Sequence, residues 1–152
     1  MTDLAIVQNA ALNVYDVAMS GPDLLQDQGL KTAVILSLLL DRVALPGDVL
    51  PDPQSTNRRG WWGDAYLPPL AGRPDFMGSR LWLLKRAIQN NATLIAAQGY
   101  ALEALNWMLV DGVVGSLSVV CTYPAGGQMQ IAVTLGQQGC DGVFNIPWSF
   151  ST

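Results

Sequence analysis

The chain has 152 residues, of which 50% are hydrophobic and only 13% charged, with a net charge of −4. That length suits one domain burying about 70% of its unfolded surface, and so apolar a composition excludes a disordered or solvating tail. A pI near 4.4 argues against nucleic acid as the main partner. There is no histidine and a single glutamate, Glu103, which removes His-based acid–base catalysis, the Ser-His-Asp and Cys-His arrangements and His-bearing metal sites. Two cysteines, Cys121 and Cys140, build neither a thiolate cage nor a disulfide-dense scaffold. No cofactor or metal is expected.

The charge is unevenly spread. Residues 1–30 carry Asp3, Asp16, Asp23 and Asp27 and no base, and all eight basic residues lie between Lys31 and Arg86. The start of the chain has no basic segment of the kind that opens a signal peptide. The longest apolar run, Ala33–Leu40, is broken by Ser37 and too short to span a bilayer.

In chain order, Leu4–Val7 and Leu12–Val17 are short apolar runs that can pair as a hairpin through Gln8-Asn9. Ser20-Gly21-Pro22-Asp23 reads as a turn. Asp27 is placed to cap a helix starting near Gln28 and continuing through Thr32–Arg42. That helix is apolar almost all round, so it is buried or covered by a partner. Residues 43–78 look irregular and hold six of the nine prolines, together with Trp61, Trp62, Tyr66 and Phe76. A loop this long is functional or interface-forming more often than it is filler.

Ser79 is placed to cap a second helix over Arg80–Ile88. Ala92–Asp111 is the clearest helix, because Leu94, Ala97, Ala101, Leu105, Met108 and Leu109 form one stripe, and Gly112 stands where a helix-ending glycine belongs. Three strands follow. Ser116–Tyr123 has Leu117, Val119 and Cys121 on one face, and Met129–Leu135 has Met129, Ile131, Val133 and Leu135 on one face. Gly142–Phe150 is the third, with Pro147 marking it as an edge strand. Pro124-Ala125-Gly126-Gly127 and Gln137-Gln138-Gly139 are the connections. The fold expected is α+β: about three helices packed on a mainly antiparallel β-sheet, with a long Pro/Trp-containing loop, in a single domain over residues 1–152.

The densest signal is Arg58-Arg59-Gly60-Trp61-Trp62-Gly63-Asp64, followed by Gly78-Ser79-Arg80-Leu81-Trp82-Leu83-Leu84. No nucleophile stands beside a base. Large apolar rings, indole N–H donors and Arg forks are the residue types of interface anchors. Arg58, Arg59, Trp61, Trp62, Asp64, Arg80 and Trp82 are therefore candidate protein-interface residues, with no catalytic residue assigned. The alternative is that the indoles fold back on the domain's own core, with Arg59 or Arg80 paired to Asp64.

These blocks, together with Asp27-Gln28-Gly29-Leu30 before an apolar helix ending at Asp41-Arg42, and a helix closing on Trp107…Asp111-Gly112-Val113, occur in an order that resembles the small baseplate wedge proteins of Mu-like contractile-tailed phages. Those proteins are relatives of the tail-lysozyme-like wedge subunit. The resemblance spans roughly residues 4 to 135. It implies a non-enzymatic structural protein of the virion, assembled in the bacterial cytoplasm. The implied partners are other wedge proteins, the tail sheath protein at its first ring, and hub, spike or tube proteins, with no nucleic acid and no membrane. A small peptidoglycan-directed hydrolase is the alternative. It would need Glu103 as general acid with an aspartate partner, whereas a lone Glu in mid-helix is more often a solvated residue. Cys121 reads as an inert core thiol.

Overall fold

The computed structural model describes residues 3–9, 14–24, 26–27, 30–66, 76–125, 128–136 and 142–149. The chain divides into two compact units, residues 1–36 and 37–152, each described by itself.

In the first unit, strands β1 (Asp3–Leu4), β2 (Ile6–Asn9), β3 (Val14–Val17), β4 (Met19–Ser20), β5 (Asp23–Leu24) and β6 (Gln26–Asp27) form three antiparallel pairs: β1 with β6, β2 with β3, and β4 with β5. The expected hairpin forms, with Ile6 opposite Val17 and Asn9 opposite Val14. Gln8-Asn9, expected as the connection, is itself paired within β2, and residues 10–13 lie outside the described residues. The turn at Gly21-Pro22 also forms, with Ser20 opposite Asp23 and Gly21 at φ +64°. Thr32 fixes the root of this unit, its hydroxyl donating to the Leu4 carbonyl at 2.9 Å and accepting from the Ile6 amide at 3.3 Å.

Helix α1 runs Lys31–Leu39. Asp27 belongs to β6, not to a cap, and Gln28 and Gly29 lie outside the described residues. Val34, Ile35 and Leu38 are buried, as an all-round apolar helix requires. The helix stops short of Arg42 because the chain is captured by a second strand-like segment. Asp41 and Ser79 form a parallel bridge, the Ser79 amide donates to the Leu40 carbonyl, and the Arg42 amide donates to the Ser79 carbonyl.

The second unit overturns the expected helix count. Among the described residues there are two α-helices, not about three. The segment expected as a helix over Arg80–Ile88 is a single 3-10 turn, Leu81–Leu84. Four consecutive residues, Leu81, Trp82, Leu83 and Leu84, are all buried. A one-sided helical stripe cannot satisfy four neighbours that each point inward, whereas one tight turn inserted into the interior can. Arg80, not the expected Ser79, stands at the cap position of this turn, although the Ser79 hydroxyl accepts the Leu81 amide at 3.3 Å. Asn90 then restarts the helical register as a cap, its Oδ1 accepting the Thr93 amide at 2.8 Å.

Helix α2, Asn91–Val110, is the long helix expected. Its buried side chains are Thr93, Ala97, Ala101, Ala104, Leu105 and Met108, whereas Leu94 is only half-buried and Leu109 is exposed. Gly112 ends it at φ +69°. Strands β7 (Ser116–Ala125), β8 (Gln128–Gly136) and β9 (Gly142–Ser149) form an antiparallel meander in the order β7-β8-β9. α2 packs along β7. Met129, Ile131, Val133 and Leu135 alternate into the interior, in register with Val119 and Cys121 on β7 and with Ile146 and Trp148 on β9. The strand carrying Pro147 lies at an edge, as expected. Gly126, Gly127, the loop 137–140 and Phe150 lie outside the described residues.

Candidate functional site

The loop between α1 and α2 is irregular, yet it is held by charge. Arg80 sits at its centre. Its Nε and Nη2 donate to Glu103 Oε2 at 2.9 and 2.7 Å, and its Nη1 reaches both oxygens of Asp48 at 3.0 Å. The guanidinium also lies over the Tyr100 ring, 4.6 Å from its centroid. Burial alone would lower the pKa of Arg80, but the bonds to Glu103 and Asp48 outweigh it, so the net shift is upward. Arg42 adds a 3.8 Å contact to Glu103 and stands over the Phe76 ring. One arginine thus ties the 3-10 turn at Leu81–Leu84 to the loop through Asp48 and to α2 through Glu103.

Arg59 forms a second tie. It takes φ +48°, beside Gly60 at φ +117°, and this left-handed pair turns the chain back. Its guanidinium pairs with Asp41 and lies 4.9 Å from the centroid of the Trp82 ring. Arg58 donates to the backbone carbonyls of Ala44 and Leu45. Trp82 is buried, donates its indole N–H to the Arg42 carbonyl at 2.8 Å, and packs with Ala44 and Leu83.

The tandem tryptophans diverge. Trp61 is half-buried, its ring lying so close over Gly63 that any side chain at that position would collide with it. Trp62 begins a 3-10 turn, Trp62–Ala65, and is 76% exposed. Tyr66, at the end of that turn, is 81% exposed and meets Trp62 edge-on at 6.3 Å. Asp64 Oδ1 accepts the Met77 amide at 3.1 Å, and its buried Oδ2 has no hydrogen-bond partner among the described residues.

The structure therefore distributes the seven candidate residues over two settings. Arg58, Arg59, Arg80 and Trp82 belong to the internal network, whereas Trp61, Trp62 and Asp64 sit on the short turn outside it. Neither arginine pairs with Asp64. Glu103 is not merely a solvated helix residue: it accepts two hydrogen bonds from Arg80 and lies 3.8 Å from Arg42. Asp41, Arg42, Asp48, Tyr100 and Glu103 were missed by sequence reasoning. The available signal was scarcity: in a chain with so few charges, the only glutamate in a buried region needs a cation.

Cys121 is buried, and desolvation pushes its thiol up to about 11, the inert state expected of it. Cys140 lies outside the described residues. No described helix is long and apolar enough to cross a membrane.

Comparison with known proteins gives consistent matches. The family model for phage protein GP46 matches residues 30–141. The baseplate protein gp46 of Escherichia phage Mu is 48% identical over 119 residues, covering 78% of this chain and 76% of that protein. The Mu-like prophage FluMu protein gp46 of Haemophilus influenzae is 36% identical over 124 residues, covering 82% and 78%.

Proposed function

We propose that this chain, which belongs to the phage protein GP46 family, acts over residues 1–152 as a wedge subunit of a contractile tail baseplate, binding larger wedge proteins around the hub and offering a surface to the first sheath ring. The chain is a Mu-like phage baseplate protein, and its place is the tail baseplate of the virion.

The observation that carries the wedge reading is the Trp62–Tyr66 pair. Two large aromatic rings stand in solvent on a loop whose flanking arginines are locked by Asp41, Asp48 and Glu103. A preorganised loop loses little entropy on docking, and an exposed indole is the residue type that dominates interface energetics. The C-terminal sheet supports the sheath contact. β7, β8 and β9 contain no Asp, Glu, Lys or Arg. Edge strands usually carry charge that discourages pairing with another chain, so an uncharged three-stranded sheet suits augmentation by a neighbour's strand.

The hydrolase alternative rests on Glu103. Its carboxylate is hydrogen-bonded to Arg80 and lies 3.8 Å from Arg42 at the foot of a packed loop, which is a structural use of the group.

The test is an image of the assembled tail at side-chain resolution. The expected result is Trp62 buried against another wedge protein and a foreign strand on β7 or β9. Trp62 in solvent and both sheet edges bare in the assembled tail would overturn the wedge and sheath assignments.

A further inference from the structure

The β2–β3 ribbon of the first unit is unlike the rest of the chain in two respects. It is the longest of the three two-stranded sheets among the described residues, and its register places Ile6, Gln8, Tyr15 and Val17 on one face and Val7, Asn9, Val14 and Asp16 on the other. Neither face is closed, because Val14 is 47% and Val17 39% exposed, and Met19 in the next strand is 63% exposed. Two-stranded ribbons are marginal by themselves in water and gain their order from a third layer.

The second respect is charge. Residues 1–30 carry four aspartates and no base. The chain's own cations are largely committed elsewhere: Arg42, Arg59 and Arg80 to carboxylates and Arg58 to carbonyls. Among the described residues only Lys31, Lys85 and Arg86 remain outside such bonds, and Lys31 follows directly on the acidic segment.

We propose that the β2–β3 ribbon is a docking arm for a different protein whose surface sets lysines and arginines around an apolar centre. On one face of the ribbon the exposed Val14 supplies apolar area, and Asp16 beside it selects a basic partner and disfavours an acidic one. A second copy of this chain, net −4 and with few uncommitted cations, is a poor match. The Thr32 hydroxyl holds the root of the arm at Leu4 and Ile6. The inference rests on the baseplate reading only for where the partner is found.

The experiment uses whole tails. A water-soluble carbodiimide joins a carboxylate to a lysine amine with loss of water, and the joined peptides are identified by mass spectrometry. Asp16, which is exposed, should couple to a lysine of a different baseplate protein. Asp16→Asn should abolish that link, and Asp16→Lys should reduce incorporation into tails on the order of ten-fold. The melt of each isolated variant, expected unchanged, separates docking from folding. Coupling of Asp16 to Lys85 of a second copy would overturn the proposal. So would normal incorporation of Asp16→Lys with no interchain link at Asp16. A wild-type chain missing from purified tails would instead overturn the baseplate reading itself.

Discussion

Arg80 and Glu103 are joined through two hydrogen bonds of 2.7 and 2.9 Å to a single carboxylate oxygen, while the third arm of the same guanidinium holds Asp48. This arginine spans the 3-10 turn, the Pro-rich loop and α2, and its side chain is only 14% exposed. Its removal leaves Asp48 without a cation and Glu103 with only the 3.8 Å contact to Arg42. Arg80→Ala should therefore cost about 2–3 kcal/mol, less than a fully buried pair because Glu103 is partly solvated. A thermal melt should fall by roughly 5–10 °C. Arg80→Lys should recover less than half of the loss, since an ammonium cannot fork between Glu103 and Asp48.

Gly78 tests the join between the end of α1 and the segment before the 3-10 turn. It sits at φ +96°, and a Cβ there would lie 2.4 Å from the Leu40 carbonyl oxygen. Backbone on both sides is fixed by the Ser79 and Leu40 hydrogen bond. Gly78→Ala should destabilise the chain by about 3 kcal/mol or more. A denaturant melt with an unchanged midpoint would show that the join can open at little cost.

Ser79 is buried, and its hydroxyl donates to the Leu38 carbonyl at 2.5 Å while accepting the Leu81 amide. Ser79→Ala removes both bonds and leaves a buried carbonyl short of a donor. The expected loss is about 1–3 kcal/mol, read from the denaturation midpoint.

The two tryptophans at 62 and 82 should separate cleanly. Trp82→Ala empties a buried site beneath Arg59 and should cost about 3–5 kcal/mol. Trp62→Ala removes an exposed ring and should leave the melt within about 0.5 kcal/mol of wild type. It should weaken binding to wedge neighbours by about 2 kcal/mol, measured by co-sedimentation with tail intermediates. A melt lost in Trp62→Ala would place that ring in the core and remove it as an anchor.

The thiol of Cys121 predicts a pH dependence. Its folded pKa of about 11 lies above the ordinary 9.0, because burial disfavours the thiolate. The folded state therefore holds a proton that the unfolded chain releases between these values. Stability from this group is complete below pH 9 and declines as pH rises toward 11. A Cys121→Ala chain should show a flatter stability profile over that range. The native thiol should resist alkylation at pH 8 and react only when the chain unfolds.

Periodicity sufficed where one face is apolar and the other is not. The alternation of Met129, Ile131, Val133 and Leu135 specified both β8 and its buried face, because side chains on a strand repeat every two residues. The α2 helix, its buried Ala97, Ala101, Leu105 and Met108 and the Gly112 stop were likewise legible, since helical periodicity and φ > 0 positions leave local signatures, whereas the Asn90 cap at its start was not read. The Arg58–Asp64 and Gly78–Leu84 blocks stood out because Trp and Arg are conspicuous in a chain with so little charge. What the sequence could not specify was pairing across distance. Leu81–Leu84 carries good helix formers, yet folds as one tight turn because its four side chains must all enter the interior. Asp41, Asp48 and Glu103 look like ordinary surface residues until the tertiary structure brings each to an arginine 18, 32 and 23 residues away. Tandem indoles with the same local sequence end in different environments because only one is covered by the backbone around Gly63. Local propensity acts over one or two turns of chain, whereas burial and ion pairing depend on which distant segments the fold has already brought together.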